Sequence, residues 1–474
     1  MAQTFYWYDY ETWGLNPAYA RPAQFAGIRT DLDFNQIGEP LVIYNKPSED
    51  MLPDPDAVMI TGITPQHALQ EGLTEREFAR AIHEELSKPD TISLGYNTRR
   101  FDEAFNRYLF WRNFYDPYEH GWKDGATCWD IIDVVRLTRA LRPEGVVWPD
   151  ENGKPTNRLE KLTEANNIEH AGAHDALVDV KATIALAQLI KKSQPKLFDY
   201  AFVHRDKKSV AELLNTESMI PLVHASDKYG SEVLSTALVV PIARIEEGRQ
   251  VLVFDLKTDP AQILDQTAEE IATNLFTPYK ELPEGTDRIG VKAIKLNSSP
   301  VLAPAGTVDD AAADRIKLDR EVANRNLAYV KKHSEEIVGK LVEAHKQDWS
   351  RVNGSGKKFV DAESKLYDGF VSDSDKRQFE KVRAGVFDAN FTDERLQDLL
   401  AHYKARNFPA LLTDSERGEW ELYRNERLAK GPMNFEAFAK RLQTLSSNST
   451  LSNAKRNLLE DLQLYAESIY PYSD

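Results

Sequence analysis

Apolar positions along the first 195 residues change period several times. FYWYDYE, QFAGIRTDLDF and EPLVIYNKP are short runs rich in aromatic and β-branched residues, and each predicts a strand. REFARAIHEELSK repeats its apolar positions at helical spacing, and TISLGYN predicts a further strand. Behind it FDEAFNRYLFWRNFY, CWDIIDVVRLTRAL, NRLEKLTEANN and HDALVDVKATIALAQLIKK have the length and period of helices. This order predicts a mixed α/β sheet covered by helices. SQPKLFDY, with a proline after a lysine pair, predicts a helix stop.

From Phe202 to Trp349 the texture changes. STALVVPIARI, RQVLVFDL and IGVKAIKLN are β-rich, and DRIKLDREVANRNLAYVKKHSEEIVGKLVEAHK is a long polar helical stretch. The expectation is a small β-barrel or sheet with appended helices. RVNGSGKKF, with two glycines among basic and polar residues, is the linker candidate. From Val360 on, SDKRQFEKVRAGVF, DERLQDLLAHYKARN, SERGEWELYRNERLAK, NFEAFAKRLQTLSS and NAKRNLLEDLQLYAESIY predict successive amphipathic helices and an all-α domain.

Composition narrows the class. With 474 residues, 42% hydrophobic and 28% charged, the chain is long enough for roughly three domains and predicts a folded protein. No run of about 18 apolar residues occurs, and MAQTFYWYDYETWG does not read as a signal peptide, so a cytoplasmic protein without membrane contact is expected. The single cysteine, Cys128, excludes an intramolecular disulfide and a multi-cysteine zinc cluster, and is expected to fill core. The net charge of −16 is uneven: −10 over 1–201, −4 over 202–354 and −2 over 355–474. A carboxylate-built metal site would draw on the acid of the first segment, so the global sign does not exclude a polyanionic partner.

Asp9 and Glu11 are two apart in a strand, so both carboxylates lie on one face. Like charges there favour a hard divalent cation between them. An isolated D-x-E is commonly an exposed strand end; further acids change the picture. Asp102 follows TISLGYN at the start of a helix, and Asp179 lies in the first turns of an apolar helix, where an unpaired carboxylate is costly. His174 precedes Asp179 by five residues, at the helix entry.

DYETWG, GYNTRRFDE and HDALVD together resemble the DEDD exonuclease superfamily in its histidine-containing branch. The resemblance implies a ribonuclease H-like nuclease domain over 1–195 and a two-metal phosphodiester hydrolysis. By that pattern Asp9 touches both ions, Glu11 and Asp179 hold the ion carrying the attacking water, Asp102 completes the shell, and His174 is the general base. Mg²⁺, two per site, is the implied cofactor, with Mn²⁺ as a substitute. RPAQFAGIRTD, ITGITPQ, ALRPEG, LFDYAFVHR, LYDGF and YKARNFP extend the likeness nearly end to end, to the bacterial exonuclease I family.

That likeness implies an SH3-like domain over 202–352 and a C-terminal helical domain over 355–474, arching over a groove that makes the enzyme processive. It implies release of 5′-mononucleotides from the 3′ end of single-stranded DNA, in DNA repair and recombination, by a monomer. Arg158 matches a substrate-binding arginine; Glu11, Thr12 and Trp13 lie where a terminal base would sit, and Ile60, Ile63 and Thr64 offer similar contacts. Arg142, Tyr200 and Lys331 match positions that take the C-terminal tail of single-stranded DNA-binding protein. The alternatives are a 3′-to-5′ exoribonuclease and a repair scaffold that binds single strands without cutting.

Overall fold

The computed structural model describes residues 2–474 except Ala171, Ala173, 347–358 and 472–474. The linker candidate RVNGSGKKF therefore lies outside the described residues, Phe359 apart. The chain forms two compact units: residues 1–128, 171–181 and 357–474 make one, and 129–170 with 182–356 the other.

The first unit is built on a five-stranded sheet. β1 (Thr4–Thr12), β2 (Pro22–Thr30), β3 (Leu41–Tyr44), β4 (Thr91–Leu94) and β5 (Thr127–Cys128) stand in the order β3-β2-β1-β4-β5. β1 pairs antiparallel with β2 and parallel with β4, the mixed sheet that the sequence predicts. Alternation along β1 explains its place. Tyr6, Tyr8 and Tyr10 enter a core with Phe25, Phe78 and Phe105, while Phe5 and Trp7 pack with Phe34. Phe25, Phe78 and Phe105 are fully buried, each contributing about 1.5–3 kcal/mol. This holds the first acid-bearing strand rigidly. Phe110, Trp111, Phe114 and Tyr115 are core, and Cys128 is buried, as expected.

The helices of 357–474 belong to this same unit. They are joined to 1–128 by a buried ion cluster in which Arg21, Arg112, Arg406 and Arg427 meet Asp50, Glu75, Asp361 and Glu363. Arg21 contacts Asp50 at 2.8 Å, Glu75 at 3.1 Å and Glu363 at 3.3 Å; Arg112 contacts Glu75 at 2.8 Å; Arg427 contacts Asp361 at 2.7 Å and Glu363 at 3.2 Å; Arg406 contacts Asp50 at 3.2 Å and Glu363. Four cations face four anions.

The second unit holds a five-stranded antiparallel sheet from Leu222–Ala225, Thr236–Ile245, Gln250–Asp255, Val291–Lys295 and Val301–Pro304. Val240, Leu252 and Phe254 pack with Ile271, Ile337 and Leu341 of neighbouring helices.

The polar helical stretch is divided between Arg320–Lys332 and Ser334–Lys346, with the short helix Asp310–Arg315 before them. Lys317 turns left-handed at φ 54, and the Asp319 side chain caps a new N-terminus by accepting from Glu321 and Val322 N–H. The helix stop expected at SQPKLFDY is found: Ala176–Ser193 ends there, and Pro195 takes the first position of the next helix, Pro195–Val203, where its missing N–H costs nothing. One sequence expectation is corrected: SDKRQFEKVRAGVF forms two short helices, Asp373–Lys376 and Phe379–Arg383.

Candidate active site

β1 delivers Asp9 and Glu11 near its C-terminal end, and the neighbouring parallel strand β4 ends close beside it. Gly95, just past β4, makes this approach possible, since a Cβ there would lie 2.5 Å from the Tyr8 carbonyl oxygen. The chain then turns into helix Asp102–Arg112, with Asp102 as its first residue and 3% exposed. Asp102 Oδ1 accepts from Tyr10 N–H at 3.1 Å, so the third carboxylate is fastened to the backbone between the first two. Tyr10 Oη donates to Asn106 Oδ1 at 2.6 Å, and Asn106 Nδ2 donates to Tyr8 Oη at 3.1 Å. Strand and helix are thereby locked together.

Helix Ala176–Ser193 brings Asp179 in its first turn. His174 lies two residues before the helix in a left-handed conformation, φ 71, and Asp175 N–H closes a turn onto the Gly172 carbonyl. A non-glycine residue held there signals constraint from its surroundings. The turn brings His174 to the acids: one ligand atom from each of Glu11, His174 and Asp179 lies within 4.8 Å of the others. Asp9 and Glu11 each interact electrostatically with Asp102 and with Asp179, so the five residues read from the sequence come together in one place.

The electrostatics are those of a centre short of positive charge. Burial first, then Asp102, Glu11 and Asp179, push the Asp9 carboxyl well above the usual range. Glu11 is pushed up to about 8 by burial and by Asp179, Asp102 and Asp175. Four oxygen-donor acids and an imidazole, with Asp9 and Glu11 pushed up by burial and by their acidic neighbours, suit hard divalent cations.

Sequence reasoning missed the residues that aim this site. Gln24 sits opposite Glu11 in the β1–β2 register and is 1% exposed. Its Oε1 accepts from Ala176 N–H at 3.1 Å, and its Nε2 lies 3.4 Å from Asp175 Oδ2 and 3.1 Å from Tyr44 Oη. Asp175 in turn caps the helix, accepting from Leu177 and Val178 N–H. A lone glutamine in the apolar QFAGI run was the signal available. Gln24→Ala is expected to lower kcat by about 10²-fold through a shift of the Asp179 helix, with the KM for substrate little changed; steady-state kinetics checks the split, and an unchanged kcat would remove Gln24 from this role.

The other expected site residues fall elsewhere. Trp13 is 1% exposed and packs in a core with Ala23, Val58, Ile63 and Leu428, and the Thr12 hydroxyl donates to the Gly14 carbonyl at 2.9 Å. Ile60 is well exposed and Thr64 caps helix Pro65–Glu71. Arg158, Arg142, Tyr200 and Lys331 belong to the second unit. Arg158 is exposed and meets Glu151 at 3.4 Å and Glu160 at 3.6 Å; Arg142 pairs with Asp309 at 3.3 Å; Tyr200 stacks on His204; Lys331 lies in the last turn of Arg320–Lys332.

Comparison with known proteins extends this picture. The exonuclease family profile matches residues 6–187, the exonuclease I SH3-like domain 205–347, and the exonuclease I C-terminal domain 360–469. The exodeoxyribonuclease I of Haemophilus influenzae is 43% identical over 473 residues, covering 98% of each chain. A moderately thermophilic exonuclease I from Methylocaldum szegediense superposes with a TM-score of 0.93 at 44% identity, over 99% of this chain and 100% of its own. E. coli exonuclease I in complex with a dA16 oligonucleotide gives 0.93 at 40%, again over 99% and 100%. An exonuclease I–SSB C-terminal complex and a zinc-bound E. coli exonuclease I–ssDNA complex, both 39% identical over 99% of this chain and 100% of theirs, give 0.91 and 0.92.

Proposed function

Because the chain belongs to the exonuclease I family, we propose that Asp9, Glu11, Asp102, His174 and Asp179 are its catalytic residues. The enzyme is a processive 3′-to-5′ exonuclease that hydrolyses single-stranded DNA to 5′-mononucleotides. The observation that carries the site assignment is the convergence of Glu11, His174 and Asp179 within one ligand shell beside Asp9 and Asp102. We divide the chain functionally into a nuclease domain, 1–195, an SH3-like domain, 202–352, and a helical domain, 355–474.

The acids fit a pair of divalent ions, since burial and acidic neighbours raise the pKa values of Asp9 and Glu11. Two such ions, when bound, would supply a nucleophile at neutral pH and neutralise the attacking and leaving oxygens. Asp9 would hold both, Glu11 and Asp179 one, and Asp102 the remaining shell; Mg²⁺ is the proposed ion, with Mn²⁺ as substitute. An imidazole ring nitrogen of His174 takes the proton of the attacking water. The buried Asp102–Tyr10 hydrogen bond fixes one wall of the site throughout.

Glu11, Thr12, Trp13 and Arg158 are proposed substrate contacts. For Thr12 and Trp13, buried as they are, the contact falls to their backbone groups. Arg142, Tyr200 and Lys331 are proposed to receive the acidic tail of single-stranded DNA-binding protein. Asp309 already pairs with Arg142, so an incoming carboxylate competes with it. No helix among the described residues is long and apolar enough to cross a membrane.

The deciding assay uses 5′-labelled single-stranded DNA, matched RNA and blunt duplex with Mg²⁺ or EDTA. Mg²⁺-dependent shortening of the single-stranded DNA from its 3′ end is expected; faster loss of RNA would move the function to RNA processing, and binding without cutting would leave a scaffold. A pH dependence follows from Glu11. Its folded-state pKa lies above the ordinary value of 4.5, so its contribution favours the fold below that value and is lost as pH rises toward about 8. At neutral pH the metal-free site therefore destabilises, and Mg²⁺ must displace protons to bind. Calorimetry in buffers of different ionisation enthalpy should show proton release and an affinity that climbs up to about pH 8; a flat profile would contradict the assignment.

A further inference from the structure

We propose that Glu103, His120 and Cys128 form a second metal site, for one borderline-soft divalent ion such as zinc, distinct from the carboxylate centre. The three are 3%, 1% and 7% exposed, and one ligand atom from each lies within 4.8 Å of the others. Imidazole, thiolate and carboxylate together are a zinc-type donor set, whereas Mg²⁺ takes oxygen donors. Arg107 and Arg99 approach Glu103 Oε1 at 3.0 and 3.7 Å, and His120 Nε2 lies 3.1 Å from Oε2 and 3.2 Å from Oε1.

His120 supplies the independent observation. Its ring is buried, yet Nδ1 has no hydrogen-bond partner. An unsatisfied buried polar atom costs about 1–3 kcal/mol, and an ion coordinated directly on Nδ1 relieves it. The 3-10 turn Glu119–Gly121 brings His120 beside the cysteine: a Cβ on Gly121 would lie 3.3 Å from Cys128 Sγ. Ser93 Oγ, on β4, lies 3.3 Å from the same sulfur.

The site's consequence is mechanical. It ties together the second residue of helix Asp102–Arg112, the Glu119–Gly121 turn and β5. An ion there would hold the helix end that presents Asp102, without entering the reaction.

Co²⁺ is the probe, because Cys128 is the chain's one thiol. Titrating the full-length wild type and Asp179→Ala with Co²⁺ should raise one equivalent of a near-ultraviolet sulfur-to-cobalt charge-transfer band in both. Equimolar Zn²⁺ should abolish the band, and Cys128→Ser should lack it while remaining folded by circular dichroism. Zn²⁺ should also raise the melting temperature of Asp179→Ala more than that of Asp179→Ala/Cys128→Ser. Absence of the band in folded wild type, or its loss in Asp179→Ala, overturns the proposal. Should Cys128→Ser not fold, the wild-type spectrum decides alone.

Discussion

His174→Ala should lower kcat on single-stranded DNA by about 10²–10⁴-fold, the range a positioned general base contributes, while leaving strand binding close to wild type. The argument is geometric. His174 reaches the acids because a left-handed residue at φ 71 turns the chain just before a capped helix, and its ring lies within 4.8 Å of both Glu11 and Asp179 ligand atoms. No other imidazole among the described residues shares that cluster. Asp179→Ala should be at least as damaging, since it removes a metal ligand. Single-turnover cleavage beside filter binding separates the two effects: His174→Ala should lose rate and keep affinity. A His174→Ala variant within threefold of wild type would end its assignment as base.

The second large effect is on stability. Glu363 is fully buried among Arg21, Arg406 and Arg427, and the guanidinium groups hold its carboxyl well below the usual range despite burial. Glu363→Ala or Glu363→Gln should destabilise the folded protein by about 3–5 kcal/mol, because each strands buried cations without their counter-charge. Urea midpoints check this; a Glu363→Gln variant as stable as wild type would show that shape rather than charge matters there. The pH dependence runs opposite to that of the active site. Glu75 in the same cluster is brought down to about 2, burial opposing and Arg112 and Arg21 prevailing. A depressed carboxyl contributes stability that is present above its unfolded value, 4.5, and is lost as pH falls through about 2. Acid should therefore loosen this cluster while relieving the metal-free catalytic acids.

What the sequence made legible was local. The strand carrying Asp9 and Glu11, the helix entry at Asp102 and the HDALVD helix were readable because period and spacing over a few residues determine them. Gln24 was not, since its role depends on a strand register and on a helix 152 positions away. The ion cluster was equally invisible: nothing near Arg21 in sequence indicates that Glu363 will neutralise it. The stop at Pro195 was legible because it is local, whereas the helix that starts on the same residue was not, since proline both ends one helix and suits the first turn of the next.

The joining of 357–474 to 1–128 in one compact unit also bears on the order of synthesis. Arg21 leaves the ribosome 342 residues ahead of Glu363, which at about 5–20 residues per second is an interval on the order of tens of seconds. Throughout it Arg21 and Arg112 have only Asp50 and Glu75 to meet, half of the eight charges that the finished cluster joins. A chain that stops before Asp361 thus holds every catalytic carboxylate with half of that cluster missing.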